Sequence, residues 1–340
     1  MQLKVMPPIG PMLSKSTESL PIGQFLYEPK WDGFRCLVFK DGPEVELSSR
    51  NSKILTPYFP ELIEPIRAQL PNQCVLDGEI VIFDKKSLDF DALLQRIHPS
   101  PQRIENLAKT TPASYIIFDI LSLQDEDLRQ TPLLERRKKL ESFSHSLTPP
   151  LHLTPATTDI EIAQKWFESI KSQGLEGIMA KDLQLKYLSD KRVMWKIKYQ
   201  QSADCVVGGF RWHKSQKAIA SLMLGVYDKK GVLNYLGSTS SFDLSQQKQL
   251  VDIVSPYRLS PSQYQSHPWL DKNSDGKKPG GISRWNKNKQ TDWEPLVPKL
   301  VCEVNYSKLQ NGRFRHSPSF KNWRSDKNPQ SCDYEQFESS

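Results

Sequence analysis

Near residue 200 the sequence changes character, and the textures on either side bound its architecture. In the first part, strand-like alternation runs through 25–27, 35–42 and 44–47, with Asp41-Gly42 placed as a hairpin turn. Residues 75–83 and 115–121 are short, strongly apolar runs suited to buried sheet strands. Helical periodicity appears near 59–69, 88–98, 133–143 and 160–173, and Thr158 or Asp159 would cap the last of these. Strands and helices intermix without a strict βαβα rhythm, which predicts an α+β domain rather than a doubly wound sheet. Beyond residue 200, short strands are expected at 204–210, 221–227, 232–236 and 300–306, with a turn at 228–231 and one helix at 243–254. That set fits a small β-barrel, an OB-fold. The polar stretch 255–290 reads as irregular, its Asn/Lys/Gly-rich part 271–290 as a loop. Two domains follow, 1–200 and 201–340, in keeping with roughly 150 residues per domain.

Charge divides at the same place. Residues 1–200 hold 26 Lys+Arg against 26 Asp+Glu, whereas 201–340 hold 20 against 13, so the net +7 lies in the second part. Either that half meets a polyanion or it presents a solvated basic surface, and charge alone leaves both open. No apolar run approaches the ~20 residues of a bilayer span, and the proline-broken N-terminus does not read as a signal peptide. Five scattered cysteines (Cys36, Cys74, Cys205, Cys302, Cys332) with no CxxC pair argue against a disulfide framework or structural zinc. An intracellular, cytoplasmic chain with reduced thiols and no membrane partner is expected.

The sharpest local feature is Glu28-Pro-Lys30-Trp-Asp32-Gly33-Phe-Arg35. A lysine directly before a turn, with a carboxylate and a second cation close by in sequence, can become a usable nucleophile. A hairpin carrying surface charges would show the same residues, but K-x-D-G-x-R arises by chance in well under ~1% of chains this long. Neither a P-loop nor a G-x-G-x-x-G occurs, and the six histidines lack metal-ligand spacing. The cluster 136–139, Arg-Arg-Lys-Lys on an expected helix, reads as a solvated face.

With that motif the chain resembles the covalent nucleotidyltransferase superfamily of ATP-dependent DNA ligases, RNA ligases and mRNA capping enzymes, whose nucleophile motif is K-x-D-G-x-R. Further motifs resemble the family's in order along about residues 10–330. The resemblance implies that Lys30 takes AMP, in a nucleotide site that includes Glu28 and Arg35. It implies that Arg50, in Ser49-Arg50-Asn51, touches phosphate and that Glu79, in Leu76-Asp-Gly-Glu79, contacts the ribose. Phe118 would stack on adenine, although an aromatic in so apolar a run is more often a core residue. Glu176, in Glu176-Gly-Ile-Met-Ala-Lys181, would help hold Mg²⁺ (or Mn²⁺), unless it and Glu79 are plain strand-end carboxylates. Lys196 and Lys198 would neutralise phosphates; two apart, they share a face of a strand, as on any surface strand. Arg324, Asp326 and Lys327 resemble the family's last motif, R-x-D-K, and would orient the departing pyrophosphate. Attack on an α-phosphate gathers negative charge, which is why cations and a hard metal ion with oxygen ligands belong here.

The implied architecture is an adenylation (nucleotidyltransferase) domain followed by a C-terminal OB-fold β-barrel. The implied function is an ATP-dependent DNA ligase that seals 5′-phosphate/3′-hydroxyl nicks through lysyl-AMP and DNA-adenylate. With the nucleophile about 30 residues from the first residue, the chain is similar to minimal two-domain bacterial C-type ligases. Its expected partner is nicked double-stranded DNA, bound with strong salt dependence through the basic second half. A monomer at the bacterial nucleoid, with DNA-repair proteins as further partners, completes the expectation. The family commonly has a glycine ahead of its fifth motif; residues 187–192 have none, which leaves the role of Arg192 open. An RNA ligase or capping-type guanylyltransferase, or an inactive nucleic-acid-binding relative, are the alternatives.

Overall fold

Asp41-Gly42 turns the chain as expected. Strands Phe34–Asp41 and Glu44–Ser49 pair antiparallel around it, with Gly42 at φ 56°, where a side chain is disfavoured. The computed structural model describes residues 1–84, 87–173, 175–199, 201–213, 217–280 and 293–338. Contacts divide the chain into two units, Met1–Tyr199 and Gln200–Ser340.

The first unit carries two sheets. In the larger, the hairpin is followed by Gln73–Asp84, Ala113–Leu123 and Glu126–Asp127, with Ser87–Leu88 and Leu151–Leu153 attached. In the smaller, the order is Leu13–Ser16, Arg192–Lys198, Gly177–Asp182, Phe25–Lys30. The period-2 alternation read from the sequence decides which face each residue takes. Cys36 and Val38 enter a core with Leu62, Ile66 and Leu140 of the helical segments. Leu37, Phe39 and Val75 instead pack with Met194 of the smaller sheet and with Met12, just before its first strand. Arg35, Asp77 and Glu79 continue that inward row, so their polar ends face the smaller sheet. Pairing between Gln73–Asp84 and Ala113–Leu123 slips so that Asp77 opposes Asp119 and Gly78 opposes Ile117. Phe118 is the residue left over, a bulge of the kind that marks functional edges of sheets.

Helices form where the apolar spacing placed them, with local adjustments. The run at 59–69 opens as a 3₁₀ turn, Pro60–Leu62, before helix Ile63–Gln69, because Pro60 starts the turn without an N–H to spare. Helix Phe90–Gln95 is shorter than its apolar run, set by the Asp89 side chain that accepts from Ala92 N–H. Asp159, rather than Thr158, caps Ile160–Gln173 by accepting from Glu161 N–H at 2.8 Å. Helix Pro101–Thr110 and strands Leu13–Ser16 and Ser319–Trp323 were not expected.

The second unit is an antiparallel five-stranded sheet curled into a half-barrel: Leu233–Thr239, Ile219–Tyr227, Gln201–Trp212, Glu294–Tyr306, Ser319–Trp323. Helix Leu244–Val254 begins with a capping box between Asp243 and Gln246 and buries Leu250 and Val254. The stretch expected to be irregular contains two 3₁₀ turns, Ser255–Tyr257 and Pro261–Ser266. Residues 281–290 of the expected loop lie outside the described residues. All five cysteines are free thiols, and all are buried. Among the described residues no helix is long and apolar enough to cross a membrane.

Candidate active site

Strand register builds the site. Lys30 ends its strand opposite Gly177, and Gly177 is in turn opposite Lys198, so one row crosses three strands of the smaller sheet. Glu176 N–H donates to the Lys30 carbonyl at 3.1 Å, which fixes the residue before that row against the backbone of Lys30. As a result Lys30 Nζ lies 2.5 Å from Glu176 Oε2, and Lys198 Nζ 3.3 Å from the same oxygen. Burial lowers the proton affinity of Lys196, and the Lys198 and Lys30 charges lower it further. Such a crowd of ammonium groups is a site waiting for an anion. The chain leaves Lys30 through a close turn: a Cβ on Gly33 would stand 2.2 Å from the Ile80 carbonyl.

A pocket of about 290 Å³ opens here, lined by Glu28, Lys30, Trp31, Arg35, Arg50, Glu79, Phe118, Lys181, Arg192, Lys196 and Lys198. The Arg35 guanidinium and Lys181 Nζ each lie 4.5 Å from the centroid of the Phe118 ring. Arg35 is pinned by Asp77 through two hydrogen bonds of 2.5 and 2.6 Å, and the Tyr187 hydroxyl donates to Asp77 at 2.6 Å. Burial disfavours the Arg35 charge, but Asp77 outweighs it and raises the pKa. Glu79, opposite Arg35 in the sheet, is pushed by burial up to about 7, with Lys30 and Arg35 pulling the other way. Glu28 is buried, its Oε2 2.6 Å from Lys181 Nζ. The pocket thus offers an aromatic shelf, a buried carboxylate and a cationic floor, the complement of a purine nucleotide.

The first-unit residues singled out from the sequence therefore meet: nine by lining the pocket or, for Glu176, by contact with Lys30 and Lys198. Arg324, Asp326 and Lys327 gather separately in the second unit. Arg324 donates to Asp326 at 2.8 and 2.9 Å and to Asp204 at 3.0 Å, and Lys327 Nζ lies 3.3 Å from Asp204. The hydrogen bonds from Arg324 bring Asp326 down to about 2. Three functional side chains escaped the sequence reading: Lys181, Asp77 and Asp204. The first two sit inside the quoted motifs; nothing marked Asp204, which is 120 residues from Arg324 in sequence. Arg192 does line the pocket, donating to the Ser14 carbonyl at 3.2 Å. The cluster 136–139 is not one solvated face: Arg136 pairs with buried Asp119 at 2.7 Å, and Arg137 is buried as well.

Among the described residues no three His, Cys, Asp or Glu side chains are grouped to hold a metal by themselves. A single carboxylate such as Glu176 fits Mg²⁺, which takes one or two carboxylates and completes its shell with water and substrate phosphate.

Residues 11–198 match the ATP dependent DNA ligase domain family, and residues 215–327 match the ATP dependent DNA ligase C terminal region. The chain is 45% identical to DNA ligase C of Mycobacterium tuberculosis, over 99% of this chain and 96% of that one. It is 44% identical to DNA ligase C2 of Mycolicibacterium smegmatis, over 100% of this chain and 97% of that one. A solved Lig E DNA ligase structure is similar in fold, with a TM-score of 0.56 at 17% identity, covering 92% of this chain and 99% of that one.

Proposed function

The chain belongs to the ATP-dependent DNA ligases, and from that membership we propose that its reaction starts at Lys30, which takes AMP from ATP. The convergence of Lys30 and Lys198, which line the pocket, on Glu176 carries this reading. Phe118 receives the adenine ring, Glu79 the ribose, and Arg50, Lys196 and Lys198 the phosphates. Lys30 Nζ attacks the α-phosphorus, the bond to pyrophosphate breaks, and a phosphoramide to AMP forms. Arg324, Asp326 and Lys327 serve this step by orienting pyrophosphate. The 5′-phosphate of a nick then displaces Lys30, giving DNA-adenylate, and the neighbouring 3′-hydroxyl expels AMP to close the backbone. Glu176 would hold a divalent ion, which lends positive charge to the phosphates when bound. The protein works as a monomer on nicked duplex at the bacterial nucleoid, beside DNA-repair proteins; its basic second half supports that reading.

The test is incorporation of label from α-labelled ATP or GTP with Mg²⁺, followed on a denaturing gel before and after nicked DNA is added. Label from ATP that nicked DNA chases off is the expected result. Lys30→Ala should take no label yet still seal a pre-adenylated nick weakly; labelling of that variant would show another nucleophile.

A further inference from the structure

Helix Leu133–Ser144 brings Arg137, 7% exposed, against Glu28, a residue that lines the nucleotide pocket. Its Nε donates to Glu141 at 2.7 Å and its Nη2 to the Thr154 carbonyl at 3.0 Å. Its Nη1 faces Glu28 Oε1 at 3.7 Å, and both of those buried atoms lack a hydrogen bond. The other Glu28 oxygen is held by Lys181 at 2.6 Å. On the far side of the nucleophile, the Trp31 indole donates to the Thr154 hydroxyl at 2.9 Å. One buried guanidinium is therefore tied to the residue two before Lys30 and, through Thr154, to the residue one after it.

We propose that Arg137 is a positioning residue for purine selection: it centres the Glu28 carboxylate so that Oε1 meets the 6-position of the bound base. This rests on the reading of Glu28 as a nucleotide contact. With Lys181 as its single cation, the Glu28 carboxylate would be drawn to one side. The second cation, held by Glu141 and the Thr154 carbonyl, balances that pull and leaves the buried Oε1 without a hydrogen bond. A carboxylate oxygen with unused lone pairs accepts from the amino group of a 6-aminopurine and repels the oxygen of a 6-oxopurine, so its placement discriminates between ATP and GTP. Arg137 touches no reacting atom, and its effect belongs to nucleotide affinity rather than to the rate of transfer.

The experiment is single-turnover transfer of label from ATP or GTP onto the full chain, with each nucleotide titrated. For Arg137→Met, the KM for ATP should rise about tenfold and the ATP-over-GTP preference fall by about the same factor, the size of one charge-assisted contact. The maximal rate should stay within about threefold. Arg137→Lys, which keeps a cation, should restore most of the preference, whereas Arg137→Gln, which loses the charge but can still hydrogen-bond the Thr154 carbonyl, should lose it and carries the test if Arg137→Met does not fold. Unchanged preference in the neutral variants overturns the proposal, as does an equal loss with both nucleotides that follows a lowered melting temperature. Glu28→Gln separates the two layers. If Glu28→Gln leaves preference unchanged, the reading of Glu28 fails and Arg137 falls with it. If Glu28→Gln erases preference while Arg137→Met does not, Glu28 stands and the role of Arg137 alone is refuted.

Discussion

At the scale of single residues, Glu79 shows how the pocket trades stability for function. Its carboxyl rises from the usual 4.5 to about 7 because its surroundings penalise the charge more than Lys30 and Arg35 reward it. An acid so shifted costs nothing at low pH, costs progressively more as pH climbs from its unfolded to its folded value, and costs a constant amount above that. Glu79→Gln removes the penalty. The melting temperature of Glu79→Gln should therefore gain on the parent between about pH 5 and about pH 7, then hold level; for this half-buried group the gain is about 1 kcal/mol. A difference that stays flat with pH would mean that the two cations already compensate the ionised form. The same substitution should weaken ATP binding, since a ribose hydroxyl donates more strongly to a carboxylate than to an amide. Arg136 and Arg137 illustrate what a residue run conceals. Four consecutive helical residues sweep about 300° around the axis, so a cluster at 136–139 could never share one solvated face. Its first two members turn inward to Asp119 and Glu28, which only the fold of the distant strands could reveal.

At the scale of elements, the turn after Lys30 is set by space. A methyl group on Gly33 would collide with the Ile80 carbonyl, a backbone atom within the sheet pair of Phe34–Asp41 and Gln73–Asp84. Gly33→Ala should cost about 1–3 kcal/mol, because the strands must part to admit it. Thermal unfolding should show this as a lowered first transition, with AMP labelling lost in parallel; a variant of normal stability that still labels would show that the turn relaxes freely. Elements with strong alternation were legible in the sequence: the hairpin through Asp41-Gly42, the buried strands around Leu76 and Ile117, and four of the five strands in the second unit's larger sheet. Strand Leu13–Ser16 was not, because a four-residue polar edge strand has no apolar alternation to read. Helix Pro101–Thr110 was legible and went unread: Ile104, Leu107 and Ala108 follow the i, i+3, i+4 spacing, and Ser100-Pro101 carries a helix-start signature. Within the site, the ordered motifs located the charged residues, whereas the slip in pairing that singles out Phe118 depends on two strands about 40 residues apart and leaves no local mark.

At the scale of the whole molecule, the asymmetry of charge becomes a statement about DNA. The excess of Lys and Arg is confined to 201–340, and ion pairs such as those of Asp204 with Arg324 and Lys327 already occupy part of it. What remains should act on the phosphate backbone as a set of counterion-releasing contacts. Binding of the full chain to nicked duplex should weaken with a log–log salt slope of about −4 or steeper, as a handful of phosphate contacts requires. A slope near zero, measured by fluorescence anisotropy across a salt series, would reassign that charge to mere solubility. The buried cysteines carry a different consequence. Burial raises the thiol pKa of Cys36, Cys74, Cys205, Cys302 and Cys332, so the reactive thiolate is scarce as well as hidden. Dye chemistry aimed at sulfur will pass over the native chain, and no cysteine need be deleted before labelling. Ile22→Cys and Leu244→Cys, at side chains 87% and 73% exposed in the first and second units, would then take a donor and an acceptor. Energy transfer between them, followed as ATP and then nicked duplex arrive, turns an inert set of sulfurs into a clean background for watching the enzyme work.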